Sequence, residues 1–418
     1  MINIIEKKSC CGCSACVQKC PKQCISMSED EEGFIYPQID ASLCIDCGLC
    51  EKVCPVINQA EPRLPKECFA AYNLDENVRK ESSSGGVFTL IAEKVIREGG
   101  VVFGATWNDR WQVVHTYTDS IEGLAQFRGS KYIQSIIGES YKQAQGFLKD
   151  GHKVLFSGTP CQIAGLKLFL RKEYDNLITV DFICHGVPSP GVFRWYLQEE
   201  LNEIARQGKK NTVSLPTIHS IPKGDVHCPD GFELKGIRFR DKCTGWKKFS
   251  FALDLAKATA DGEKIQFSLS KDLNKHPFLR GFLWDLYLRP SCSDCKVKSL
   301  SSGADITIGD FWGVESLIKK YKDNKGTSCV IFNTENASKY FTDLKYEKTE
   351  VSFQSIVTRN PAIVESTPKS SVSNIFWSLH NIGFSERVKV VTHESFNKRA
   401  MKVLKAIYYN LYVKPFKL

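Results

Sequence analysis

Apolar and polar positions alternate most regularly between residues 67 and 205 of the chain. Phe69-Ala-Ala-Tyr72 is a short apolar start. In VFTLIAEKVI, positions 87, 88, 91 and 95 recur at a helical period that Gly99-Gly100 closes. Val101 to Ala105 reads as a strand, and a helix ends near Gly151. There follow a strand at Lys153 to Ser157, the turn Gly158-Thr-Pro-Cys161 and the helix QIAGLKLFLRKEY. A strand at Leu177 to Ile183, the turn Cys184-His-Gly186 and the helix GVFRWYLQEELNEI come next. Strand, helix, strand, helix in that order predicts adjacent parallel strands with right-handed crossovers. Ala304 to Asp310 reads as a further strand.

The flanking regions lack this rhythm. Residues 1–60 are too few to bury a sizeable core. NQAEPRLPK, from Asn58 to Lys66, is polar, carries two prolines and reads as a linker. From about 205 to 275 the chain is polar and reads as an insertion or lid carrying Arg240-Asp-Lys-Cys-Thr-Gly-Trp246. The end, from Glu386, is a basic amphipathic segment shorter than a membrane span. The expected fold is an α+β ferredoxin-like two-cluster domain (1–60) followed by an α/β domain with a partly parallel sheet (67–360). A basic helical tail (370–418) completes it.

With 418 residues, 42% hydrophobic and 25% charged, the composition is that of a globular protein of two or three domains. Residues 1–60 hold five Lys against eight Asp or Glu, whereas residues 385–418 hold eight Lys or Arg against Glu386 and Glu394. An acidic front suits a basic redox partner, and the tail suits an acidic partner or a peripheral membrane contact. No nucleic-acid partner is expected. No apolar leader precedes the first cysteine, and the expected location is the cytoplasm, where thiols stay reduced.

Cysteine carries the chemistry. C-x-x-C-x-x-C-x-x-x-C-P occurs twice, as Cys10, Cys13, Cys16, Cys20-Pro21 and as Cys44, Cys47, Cys50, Cys54-Pro55. In two-cluster ferredoxins of this spacing, three cysteines of a run hold one [4Fe–4S] cube and the fourth ligates the other. Cys10, Cys13, Cys16 and Cys54 are therefore expected on one cube, and Cys44, Cys47, Cys50 and Cys20 on its partner. Zinc usually takes paired C-x-x-C with a long gap, and disulfides need an oxidising compartment, so both alternatives fit this repeat poorly. Cys11 and Cys24 fall outside the pattern.

Cys161 and Cys184 follow neighbouring predicted strands, at the edge where open α/β sheets bind ligands. With Cys292 and Cys295 they make four thiols in polar turns, enough for a third cube; the alternative is cysteines packed as small hydrophobes. His185, next to Cys184, is a candidate proton carrier or a structural hydrogen-bonding residue. The Ser82 to Gly86 turn before a helix suits a phosphate, or is a plain N-cap.

Ser83-Ser-Gly-Gly86, Gly129 to Ser135 (GSKYIQS), Val154 to Gly165 (VLFSGTPCQIAG), Asp181 to Ser189 (DFICHGVPS) and Asp305 to Gly313 (DITIGDFWG) together resemble the motifs of the family of coenzyme F420-reducing hydrogenase/dehydrogenase β-subunits. The resemblance covers roughly residues 67–320. It implies an FAD-containing iron–sulfur oxidoreductase that exchanges electrons between cubes and a two-electron acceptor, with F420 itself not implied. It places Ser84, Gly85, Gly86, Ser130, Lys131 and Tyr132 in the flavin region, with Lys131 on a phosphate or beside the reduced flavin. The rival expectation is an electron-transfer subunit that relays electrons to a partner protein without substrate chemistry of its own. A redox protein or a small acceptor would then receive the electrons; oligomeric state and substrate stay open.

Overall fold

The computed structural model describes residues 2–207, 217–259 and 263–393. Its strands are β1 (Ile25–Glu29), β2 (Ile35–Ile39), β3 (Glu67–Asn73), β4 (Val101–Trp107), β5 (Val113–Thr118), β6 (Val154–Gly158), β7 (Leu177–Phe182), β8 (Phe232–Asp241), β9 (Ser250–Ala258), β10 (Lys264–Asp272), β11 (Ile306–Asp310), β12 (Ser328–Phe332) and β13 (Tyr346–Glu350).

Eight of them form one sheet in the order β13-β3-β12-β11-β7-β6-β4-β5. The middle four, β11, β7, β6 and β4, run parallel, and antiparallel pairings extend both edges. The parallel centre follows from apolar runs such as Val154-Leu-Phe156 and Leu177-Ile-Thr-Val180, which are buried on both faces. Helix Val87–Arg97 covers one face, setting Val87, Ile91 and Val95 against Val102, Leu155, Ile178 and Val180. Helices Ser140–Lys149 and Pro160–Leu170 cover the other, with Tyr141, Leu148, Ile163 and Leu166 against Phe103, Val154 and Phe156.

The N-terminal unit is a hairpin of β1 and β2 with short helices Ala15–Lys19 and Leu49–Lys52. It is docked on the second layer rather than held away from it. Cys13, Ala15 and Val53 join the same apolar cluster as Ile163, Leu166 and Phe169. Gln18 Oε1 accepts from the backbone N–H groups of Tyr141 (3.1 Å) and Lys142 (3.2 Å) at the start of helix Ser140–Lys149.

Within the polar stretch 205–275, β8, β9 and β10 form an antiparallel sheet. Its inward face, Leu234, Ile237, Phe239, Phe251, Leu253 and Leu255, packs with helix Pro190–Gln207 in an aromatic-rich core. Of the stretch expected as a basic tail, Ser373–Ser378 and Phe384–Val391 are short helices. Phe376, Phe384 and Val388 are buried in the same core. Glu199 accepts from the N–H groups of Phe384 (2.7 Å) and Ser385 (2.9 Å), capping the second of these helices. Residues 394–418 lie outside the described residues. No helix among the described residues is long and apolar enough to cross a membrane.

One tight point of the docking is Gly33 (φ +79°) in the β1–β2 turn. A Cβ there would lie 2.5 Å from Gly191 Cα and 2.8 Å from Ser189 Oγ. Gly33→Ala therefore combines a left-handed backbone with overpacking and should cost about 2–4 kcal/mol, read as a lowered unfolding midpoint.

Candidate redox site

Ser14 (φ 60°) turns the chain into helix Ala15–Lys19, which places Cys16 inward, while Cys54 closes a short turn after helix Leu49–Lys52. Cys13, Cys16 and Cys54 are buried and Cys10 half-buried. Burial, with the nearby thiols of Cys10 and Cys54, pushes Cys16 up to about 12. Cys20 instead lines a small cavity of about 20 Å³ with Cys44, Cys47 and Cys50. Cys24 joins that cavity, its Sγ 3.4 Å from Cys20 Sγ. The last cysteine of each run thus stands with the first three of the other.

The remaining four thiols come together at the carboxyl edge of the parallel strands. After β6, Thr159 and Gln162 form a capping box that starts helix Pro160–Leu170 and sets Cys161 in its first turn. Cys184 follows β7, Cys292 lies within a short helical turn, Pro290–Asp294, and Cys295 follows it directly. All four line one cavity of about 60 Å³. Burial pushes Cys184 well above the usual thiol range, with Cys292, Cys161 and Cys295 adding to the effect. Such thiols must shed their protons to bind metal, and a metal core compensates the thiolates' mutual repulsion. Cys11 lines the same cavity, and the neighbouring thiol of Cys13 and its own burial push its thiol well above the usual range. Among the described residues no group of three or more His, Cys, Asp or Glu is arranged around a single metal ion.

Beside the thiols opens a much larger cavity of about 810 Å³. Phe182, Ile183, Cys184, His185, Gly186 and Val187 line both, so one stretch of chain is a shared wall. Ser84, Gly86, Ser130, Lys131 and Tyr132 all line the large cavity. Gly85 does not: a Cβ on it would meet Ala71 O at 2.5 Å and Ser328 N at 2.8 Å, so this glycine lets the turn sit against β3 and β12. The two turns are tied by Ser83 Oγ, which accepts from Ser130 N (2.6 Å) and Ser130 Oγ (2.9 Å). Gly86 (φ +79°) precedes helix Val87–Arg97 without a side-chain cap, and Val87, Phe88 and Thr89 of its first turn line the cavity.

Residues 151–357 match the C-terminal model of the coenzyme F420 hydrogenase/dehydrogenase β-subunit, residues 68–139 match its N-terminal model, and residues 9–58 match a 4Fe-4S dicluster domain. The chain belongs to the family of coenzyme F420 hydrogenase/dehydrogenase β-subunits. It is 22% identical over 246 residues to the F subunit of an F420H2 dehydrogenase of Methanosarcina mazei, a match over 53% of this chain and 69% of that protein. A coenzyme F420-dependent sulfite reductase of Methanocaldococcus jannaschii is 28% identical over 188 residues, 44% of this chain and 29% of that protein. A 7Fe ferredoxin of Hydrogenibacillus schlegelii is 49% identical over 43 residues, 10% of this chain and 49% of that protein. A chain of the F420-reducing [NiFe] hydrogenase complex of Methanosarcina barkeri aligns over 78% of this chain and 96% of its own length, with a TM-score of 0.45 and 16% identity.

In this member of the family the cations around the turns serve the backbone. Lys131, expected on a phosphate or beside the reduced flavin, donates to the carbonyls of Gln126 (2.9 Å), Arg128 (3.2 Å) and Gly129 (3.3 Å), and burial pulls its ammonium down to about 7. Lys242 donates to the carbonyls of Arg79, Ser84 and Lys325. Arg240, buried at the end of β8, pairs with Asp310 (2.7 Å) and donates to Tyr132 Oη (3.1 Å) and Ser83 O (3.1 Å). Trp246 Nε1 donates to Asp310 (3.0 Å), and the Trp246 ring stacks on Trp312 at 4.9 Å. The sequence marked Arg240 to Trp246 as part of a polar insertion but assigned them no role; for Arg240 the in–out alternation of β8 was the available signal. His185 Nε2 lies 2.6 Å from Asp285 Oδ1, and both line the large cavity.

His115, also missed, lines the same cavity, with Nε2 3.0 Å from Ser157 O and its ring stacked on Phe156 (5.6 Å). Burial holds it down to about 4. Below its ordinary value of about 6.5 the unfolded chain binds a proton that the folded chain refuses, so stability falls as the pH falls, by about 2 kcal/mol from pH 7 to 5. His115→Phe should flatten this dependence, measured as unfolding midpoints over that range.

Proposed function

We propose that this family member is an iron–sulfur flavoprotein oxidoreductase with three [4Fe–4S] cubes and a noncovalent FAD, acting in a reducing cytoplasm. When bound, the cubes would move single electrons and the flavin would hold two, so their union supplies hydride-equivalent chemistry. The observation that carries the reading is the shared wall: Cys184 to Val187 border the four-thiol cavity on one side and the large cavity on the other.

Each group of residues has a distinct task in this reading. Cys10, Cys13, Cys16 and Cys54 hold one cube, Cys20, Cys44, Cys47 and Cys50 a second, and Cys161, Cys184, Cys292 and Cys295 a third. Cys47 is exposed, so the second set faces a partner protein. Cys11 lies between the first set and the third. The Ser83 to Gly86 turn and the uncapped helix start offer N–H groups to the dinucleotide's phosphates. Lys131, Lys242 and Arg240 hold the carbonyls and side chains of the turns so that those donors stay in place. His185, paired with Asp285, is placed to carry a proton at the cavity wall.

The relatives named for F420 make a deazaflavin the first acceptor to assay. One of them carries the name of a subunit, which favours a redox partner protein and keeps the relay function as the second reading.

Anaerobic reconstitution should yield about twelve irons, four for each cube, together with flavin. A flavin-free product would remove the flavoprotein reading, and about eight irons would remove the third cube, since each cube contributes four. Cys20→Ser should damage the cube of Cys44, Cys47 and Cys50, and Cys54→Ser that of Cys10, Cys13 and Cys16. Paired EPR spectra in which each variant loses the cube of its own run would show the crossed assignment to be wrong.

A further inference from the structure

We infer that Arg289 is a counter-charge shared by two of the proposed cubes, those of Cys10/Cys13/Cys16/Cys54 and Cys161/Cys184/Cys292/Cys295, and that it raises the reduction potential of both. The inference rests on the cube assignment under Proposed function.

Arg289 is 1% exposed. Its backbone belongs to the four-thiol cavity: Arg289 N donates to Val187 O and Arg289 O accepts from Cys292 N, both at 2.9 Å. Its side chain crosses to the N-terminal unit. There Nε donates to Cys10 O (2.8 Å), and Nη2 donates to Ile35 O (3.0 Å) and to Cys10 Sγ (3.6 Å). Nη1 donates to Gln134 Oε1 (2.8 Å), and the guanidinium lies 4.3 Å from the Tyr36 ring centroid. Gly12 (φ +70°) leaves room for it, since a Cβ there would stand 2.8 Å from Nη1.

Every one of these partners is neutral in the metal-free protein apart from a thiol able to ionise. Of the other buried arginines, Arg79 and Arg240 each have an aspartate, Asp323 and Asp310, whereas Arg387, far from the thiols in sequence, donates to the carbonyls of Ile382, Phe376 and His219. Arg289 has no carboxylate in salt-bridge contact among the described residues. A buried cation left without an anion is costly, because hydrogen bonds to neutral groups replace only part of the hydration that burial strips. The anions that fit are the thiolate-ligated cubes on either side, whose net negative charge grows with each electron taken up. A fixed positive charge favours the more negative, reduced form, and does so strongly where water is excluded. Arg289 is in this sense a positioning residue: it acts through Cys10 and the cavity thiols.

The test is an EPR-monitored redox titration of the reconstituted full chain, with iron counts, for wild type, Arg289→Gln and Arg289→Lys. Arg289→Gln should lower the potentials of the two cubes beside Arg289 and leave that of Cys20/Cys44/Cys47/Cys50 unchanged, while Arg289→Lys recovers most of the shift. Unchanged potentials in a fully loaded Arg289→Gln protein overturn the inference alone, as does an equal shift of all three cubes. Wild type with fewer than three cubes overturns the cube assignment and the inference with it. Should Arg289→Gln fail to assemble the two cubes, iron in Arg289→Lys decides: restoration supports the charge, and a variant equally empty shows that only the fork's packing mattered.

Discussion

The redox end of this protein depends on how closely the N-terminal unit approaches helix Pro160–Leu170. The contact is made at Gly165, where a Cβ would stand 3.0 Å from Cys13 Sγ and 3.2 Å from Tyr141 Oη. Any larger residue would have to move either the thiol or the tyrosine, whose hydroxyl donates to Gln162 O at 2.8 Å. Because the same helix carries Cys161 in its first turn, a shift at Gly165 would pass directly into the four-thiol cavity. Packing at one glycine thereby sets the separation between thiols that are far apart in sequence.

A second constraint is electrostatic. Beside the large cavity, Lys131 and Lys242 each gather three backbone carbonyls. Arg240 joins the Ser83 turn, Tyr132 and Asp310 across three separate segments. Desolvating these cations is unfavourable, and their hydrogen bonds are what offset it. The result is a cavity whose wall is held in shape by the protein itself.

The β8–β10 sheet acquires its importance from the same network. It packs its apolar face on helix Pro190–Gln207 and delivers Arg240 and Trp246 to the cavity rim. Its outer strand, β10, is mostly exposed, so the sheet's burial is one-sided.

What the sequence alone determined were features written in local spacing. The doubled cysteine run implied the 4Fe-4S dicluster unit, because ligand intervals are short-range and chemically specific. The apolar runs at 153–157 and 177–183 implied parallel neighbours, because strands buried on both faces need continuous hydrophobicity. The Ser/Gly and Gly-Ser-Lys-Tyr segments were legible as turns, and residues of both line the large cavity. Only the tertiary structure decided which partners these residues meet. Lys131 turned to carbonyls, and Gly85 turned to the sheet. Arg289 reached Cys10 from 279 residues away, and Arg240 reached Asp310 from 70. Contacts of that range depend on which faces the whole chain buries together, and no local pattern of residues encodes them.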